Sequence, residues 1–490
     1  MNLRAHVLAC LKRTPKALLS GVSLLALSSA ASAADLVEVY QRALQNDPQI
    51  READANRLAS RESKPQALAG LLPQINATGG YDRTKSDGSS VFPVNIVDNP
   101  TTGEGHIEVL NRGTEETLTT RQYQIQLRQP LFRWDRWATL KRADAEVAQA
   151  EADYQAAQQD LIARAAQRYF DVLAAQDTVD AAQATLEAFS RQLEQADKRF
   201  EVGLIAITDV QEARAAHDQA AAAVIQAKRS LATAEELLRE LTGETFETLS
   251  APVEDLPLKS PNPENEEQWV ATALDQNLRV ISARLATDIA KEDIAVARSG
   301  YLPQIDLVAG RSGLDISGDQ AIINPAVGAN PEERTVQPAD RDDTNDSIGV
   351  QFTIPIYAGG GTSSAVRQRV YLHRAARERL ERANRETERA TRDAYLGVLS
   401  EISRVKALKQ ALESSKTALQ ATEAGFEVGT RTTVDVLDAR RRLFEAQTNY
   451  SRSRYDYILN VLQLQLATGT LDKADLDEIN SFLRERPITR

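Results

Sequence analysis

The chain has 490 residues, a formal net charge of −12 and only 5% aromatic residues. Dispersed acidity of this size argues against a nucleic-acid partner. Ala, Gln, Arg, Glu and Leu dominate long stretches, a composition of long helices and coiled coil rather than of a compact α/β enzyme.

The first predicted element is a leader. Arg4, Lys12, Arg13 and Lys16 precede an apolar stretch from Ala17 to about Ala30, and Ala31-Ser32-Ala33 supplies an A-x-A cleavage site. Residues 1–33 therefore read as a secretory signal peptide, with the mature chain starting near Ala34 or Asp35. Cys10, the only cysteine, leaves with the leader, so neither disulfides nor thiolate chemistry are expected. No later segment reaches ~18 uninterrupted apolar residues, so membrane entry would have to use strands.

Residues 35–70 read as one helix, with Asp35 able to cap it and Leu36, Val39, Tyr40, Ala43 and Leu44 at helical spacing. Leu72 to Tyr81 reads as extended. Residues 85–118, rich in Gly, Ser, Asn, Asp, Thr and Pro, read as a long exposed loop. Tyr123, Ile125 and Leu127 then alternate with Gln122, Gln124, Gln126 and Arg128, which is a strand with one apolar face. From about Trp134 to Phe200 there is neither proline nor glycine, which predicts a helix on the order of 100 Å long at 1.5 Å per residue. Gly203 breaks it, and a shorter helix runs from near Thr208 to Leu241 and stops at Gly243. Four prolines between Pro252 and Pro263 mark residues 244–265 as a connector at the equator of the molecule.

The second half repeats the first. A helix is expected over 266–299, an extended run from Leu302 to Ile316, and a loop over 317–345. Ile348, Val350, Phe352, Ile354 and Ile356 alternate with polar residues as a strand. Gly359-Gly360-Gly361 turns the chain into a second very long helix, from about Ser363 to Phe426. Gly429 breaks that helix, and a shorter one returns to Gly469. F-E-V-G-L-I-A-I-T-D-V-Q-E-A-R from Phe200 recurs as F-E-V-G-T-R-T-T-V-D-V-L-D-A-R from Phe426, and L-P-Q-I at Leu72 recurs at Leu302. The chain thus divides into two structural repeats, 34–243 and 266–469, followed by a C-terminal segment over 470–490.

This order predicts a mainly α fold with β. The long helices descend from the strands, and two shorter helices stacked end to end match each long one. Both turns, at Gly203 and Gly429, fall at one end and four strands at the other. Four strands with one apolar face leave edges unpaired, so a membrane location requires copies to close them. The apolar face then meets lipid and the Gln/Ser/Thr face a wet lumen. Phe132, Trp134, Trp137 and Tyr357 sit where strands meet helices, as an interfacial belt would. Alternation alone leaves open a soluble β-hairpin domain on a periplasmic coiled-coil stalk or adhesin. No enzyme or cofactor is expected. His217 and His373 fall on long helices outside any H-E-x-x-H, and Gly359-Gly360-Gly361 lacks the Lys of a phosphate loop.

The two L-P-Q-I segments, Q-P-L-F near Pro130, I-P-I-Y-A-G-G-G near Pro355 and the paired F-E-V-G segments lie in one order behind a leader. With these features the chain resembles the TolC family of outer-membrane efflux proteins over essentially the whole mature chain. The resemblance implies a homotrimer in the outer membrane with a shared twelve-stranded barrel. It also implies a helical coiled-coil barrel through the periplasm and a closed tip. Its implied partners are a periplasmic adaptor and an inner-membrane pump, for drug efflux or type I secretion.

At the tip, Asp435 and Asp438 share a helix face, and Asp209 and Glu212 match them in the first repeat. Acidic groups also suit a helix N-terminus for its dipole alone. The resemblance makes Asp435 and Asp438 an aperture ring whose three copies attract cations. It assigns Thr208, Asp209, Phe426 and Arg431 to contacts that hold the coils shut, next to the tip turns at Gly203 and Gly429. Phe426 stands where one member of the family carries a tyrosine, so the gating hydrogen bond of that hydroxyl cannot form here. Arg431 with Asp209 is then the expected closing ion pair.

Overall fold

A computed structural model describes residues 33–99, 101–253, 255–326 and 332–487. The leader expected over 1–33 lies outside the described residues, apart from Ala33.

The first helical segment is three helices rather than one: α1 (Leu36–Asn46), α2 (Pro48–Arg61) and α3 (Ser63–Ala69). Asp47 makes the first break. Its N–H bonds Ala43 O at 2.8 Å and closes α1, while its carboxylate accepts from Gln49 N at 3.1 Å and opens α2, with Pro48 at the first helical position. The second repeat has the same device. Helices α6 (Glu266–Gln276) and α7 (Leu278–Arg298) replace the single expected helix, and Asn277 caps both. Its side chain accepts from Arg279 N at 3.0 Å, and its N–H bonds Ala273 O at 2.9 Å. Side chains that compete with the backbone for hydrogen bonds end helices that apolar periodicity alone would continue.

The loop expected over 85–118 is instead a ladder. Strands β1 (Gln74–Asn99) and β2 (Glu104–Phe132) pair antiparallel along almost their full length, from Gln74 opposite Arg128 to Asn99 opposite Glu104. The polar composition that reads as loop fits a ribbon wet on both faces, because each strand supplies the other's backbone partners. The expected 317–345 loop is likewise mostly strand. β4 (Gln304–Asn324) reaches far into it, β5 (Glu333–Pro338) pairs with the far half of β4, and β6 (Arg341–Thr353) pairs with the near half. β6 ends at Thr353, before Pro355, so Ile354 and Ile356 lie outside the ladder.

The register gathers the apolar residues on one face. Ile75 lies opposite Leu127, Ala77 opposite Ile125, Leu127 opposite Ala309, and Leu307 opposite Val350. Among the described residues nothing covers this face: Ile348 is 80% and Val350 62% exposed. The band runs from Phe132 to Tyr123 on β2, about the ten residues a tilted strand needs to cross a hydrocarbon core. Trp134, Trp137 and Tyr357 are exposed at its inner rim. Among the described residues no helix is long and apolar enough to cross a membrane.

Below the sheet run α4 (Trp134–Glu201) and α8 (Gly361–Glu427), each about 100 Å long at 1.5 Å per residue. Each returns through a shorter helix, α5 (Ile207–Thr242) and α9 (Thr433–Thr468). Side by side the upper level reads α2/α3, α4, α7, α8, and the lower level α5, α4, α9, α8. β1 follows α3 and β6 precedes α8, so the free sheet edges and the free helical flanks lie on the same two sides.

The main core lies at the equator. Tyr169, Phe170, Leu36, Leu161, Leu249 and Tyr455 are fully buried there. Tyr455 stacks on Phe170 at 5.6 Å and donates to Asp177 Oδ2 at 2.7 Å. The connector contributes β3 (Thr248–Pro252), which pairs with β7 (Leu483–Pro487) after α10 (Lys473–Asn480). The chain's C-terminal segment thereby ties back onto the link between the repeats.

Candidate functional site

The two tip turns share two equivalent backbone hydrogen bonds. In the first, Leu204 N bonds Arg199 O at 2.8 Å and Gly203 N bonds Phe200 O at 2.9 Å. In the second, Thr430 N bonds Gly425 O at 2.9 Å and Gly429 N bonds Phe426 O at 3.1 Å. Gly203 and Gly429 have φ of 77° and 80°, a left-handed conformation that ends the long helices at little steric cost.

The helices leaving these turns differ. Thr432 caps α9: its hydroxyl accepts from Asp435 N at 3.2 Å, and Asp435 Oδ2 accepts from Thr432 N at 2.8 Å and from its hydroxyl at 2.9 Å. This closes a reciprocal capping box. These bonds, with the charge of Arg431 as a lesser cause, hold the Asp435 carboxyl below the usual carboxylate range. Asp438, one turn on, lies 3.6 Å from Arg441. In the first repeat Ala206 takes the capping position and makes no side-chain cap hydrogen bond, so the reciprocal box of α9 has no counterpart on α5. Thr208 and Glu212 beside it are exposed.

The expected pair of Arg431 with Asp209 is not formed within the protomer among the described residues. Lateral order explains this. α4 lies between α5 and α9, so Asp209 stands on one flank of the chain and Arg431, between α8 and α9, on the other.

Other residues, which sequence reasoning missed, join the two hairpins inside the protomer. The Arg199 guanidinium lies over the Phe426 ring at 4.8 Å from its centroid. This contact uses only the ring face and needs no hydroxyl. Arg440 on α9 donates to Glu423 Oε1 on α8 from Nη2 at 2.7 Å and from Nε at 3.1 Å, and its Nη1 reaches Ala188 O on α4 at 3.4 Å. Leu437 packs with Phe189, Ala216 and Ala220 of the first hairpin. One sequence signal was available: Arg199 stands where the second repeat has Gly425, so this contact occurs once per chain.

A sequence profile described as "Outer membrane efflux protein" matches residues 39–244 and, a second time, residues 269–470. The chain belongs to the outer membrane efflux protein family. The double match covers both repeats of this efflux protein. It is 38% identical over 459 residues to the outer membrane protein TolC of Vibrio cholerae, spanning 94% of this chain and 96% of that protein. It is 36% identical to TolC of Escherichia coli over 96% of this chain and 89% of that one. Its fold matches the CmeC outer membrane channel of Campylobacter jejuni with a TM-score of 0.66 at 17% identity, over 96% of this chain and 98% of that chain. The efflux protein is thus an outer-membrane exit duct with a long helical body and a β-sheet at one end.

Proposed function

We propose that three copies close into one duct that carries cargo from the periplasm across the outer membrane. The observation that carries this is the sheet. It has one uncovered apolar face of membrane-spanning height and two unpaired edges, β1 and β6, that run antiparallel to each other. Edge-to-edge pairing of β6 with the next copy's β1 removes every edge, as a bilayer demands. Three sheets, each four strands wide, make twelve. The helical flanks support the same head-to-tail closure. Tyr371, Leu372 and Leu396 are exposed on α8, and Leu44, Leu58 and Leu68 on α1 to α3, so each flank offers apolar surface to the other.

In this assembly the tip is the gate. Asp435 and Asp438 ring the aperture in three copies, and Arg431 pairs with Asp209 of the adjacent copy. Thr208 and Glu212 lie beside that seam. Arg199 on Phe426 and Arg440 on Ala188 O hold the two hairpins of each copy together. The duct works with a periplasmic adaptor and an inner-membrane pump, which select the cargo for efflux or type I secretion. The test is purification from outer-membrane detergent extract, unheated gel electrophoresis and planar-bilayer recording. A heat-labile trimer with low resting conductance is expected. A monomer without channel activity would overturn the reading in favour of a stalk.

A further inference from the structure

A cavity of about 230 Å³ opens at the equator, far from both the sheet and the tip. Five separate segments wall it: the connector from Leu256 to Asn262, α6 at Trp269, α8 at Val398, α9 from Tyr457 to Gln465, and the α10 region from Asp475 to Phe482. Val398, Val461, Leu464, Ile479 and Phe482 make one side apolar.

Gln465 and Asp475 line its polar end, and Ser260 and Asn262 of the connector line the cavity as well. Gln465 Nε2 donates to Asp475 Oδ1 at 2.5 Å, which turns Gln465 Oε1 the other way. That oxygen is buried and has no hydrogen-bond partner among the described residues. A buried acceptor left unmet is costly and calls for a donor. Asp475 Oδ2 accepts from Asp472 N at 2.9 Å, and no lysine or arginine among the described residues pairs with the Asp475 carboxylate. Burial, and then the neighbouring Asp472 charge, push the Asp475 carboxyl above its usual range, as expected of a carboxylate without a cation. Lys259, the cation at the rim, is held by Glu478 at 2.7 Å. The Tyr457 hydroxyl accepts from Lys259 N at 2.9 Å and donates to Lys259 O at 3.1 Å, so it offers no free donor.

We propose that this cavity binds a small amphipathic primary ammonium. Its N–H donors meet Gln465 Oε1 and the Asp475 carboxylate, and its apolar body lies on Val461, Leu464, Ile479 and Phe482. An anion of the same shape is repelled by Asp475, Asp472 and Glu478. A neutral alcohol brings a single donor and no charge. Because the walls come from five segments, an occupant ties connector, body helices and C-terminal segment together and stiffens the equator. None of this depends on how the duct opens.

The test is calorimetric titration of the intact detergent-solubilised protein with phenethylammonium chloride, beside 2-phenylethanol as the neutral match. One saturable site per chain is expected, at least tenfold tighter for the amine. Gln465→Leu and Asp475→Asn should each weaken amine binding at least tenfold and leave alcohol binding unchanged. Asp475→Asn also touches the α10 cap, so its thermal unfolding without ligand is compared with the parent. If that variant does not fold, Gln465→Leu, which alters no cap, carries the test. Equal binding of amine and alcohol, or undiminished amine binding by Gln465→Leu, would overturn the proposal.

Discussion

Arg440 gives the sharpest test of the gate. Its side chain is 23% exposed and ties three helices at once: α9, which bears it, α8 through Glu423, and α4 through Ala188 O. Arg440→Ala removes the link between hairpins and the bond within the second hairpin together. The Glu423 carboxylate is 39% exposed, so solvent screens that pair and its loss costs only about 1 kcal/mol. The long bond to the Ala188 carbonyl adds about 0.5–1 kcal/mol. Only the Ala188 link joins separate hairpins, so the closed state is weakened by about 0.5–1 kcal/mol per copy, which shifts the open-to-closed ratio roughly two- to fivefold in each copy. Planar-bilayer recording of the intact trimer should show a larger resting conductance. Arg442→Ala is the control, because it changes the same charge two residues on at an exposed position. Unchanged conductance for Arg440→Ala with the trimer intact, or an equal rise for Arg442→Ala, would refute the latch.

Further tests follow from the same geometry. Phe426→Leu keeps bulk but loses the Arg199 contact, worth about 0.5–1 kcal/mol, so it should raise conductance modestly, whereas Phe426→Tyr keeps the ring face and should not. Arg431→Asp should open the tip, and adding Asp209→Arg should close it again in the same recordings; a double variant as open as the single one counts against pairing across copies. Asp435→Ala with Asp438→Ala should abolish block by divalent cations. The Asp435 carboxyl is held low, so the stability of its cap is fully present above about pH 4 and fades only as pH falls through the depressed native value. Block in the parent should therefore persist below the pH at which ordinary carboxylates are neutralised. Asp47→Ala removes a helix cap and one of the two carboxylate partners of Arg164, which keeps Asp160 at 2.8 Å, so it should cost about 1–2 kcal/mol in denaturant unfolding. Asp47→Asn, which keeps the cap, should cost less.

The sequence by itself determined the periodic and repeated parts of this protein. A proline- and glycine-free run dictated the first long helix and a proline-free run the second, Gly203 and Gly429 ended them, and alternation at Tyr123 and Ile348 marked strands whose apolar face needs lipid. These are local signals, carried by residues a few positions apart. Tertiary structure alone decided the rest. Residues 85–118 carry loop composition, and only pairing across the hairpin makes them strand. Asp47 and Asn277 look like ordinary polar residues until their side chains are seen to end one helix and begin the next. The gate divides the same way. The Asp435 cap is local and readable, because Thr432 stands three residues before it. The absence of an Arg431–Asp209 pair within the protomer follows from α4 lying between α5 and α9, and the Arg440 link needs three helices in register. Spacing along the chain encodes which face a residue takes; which helix that face meets is set by how the helices pack side by side.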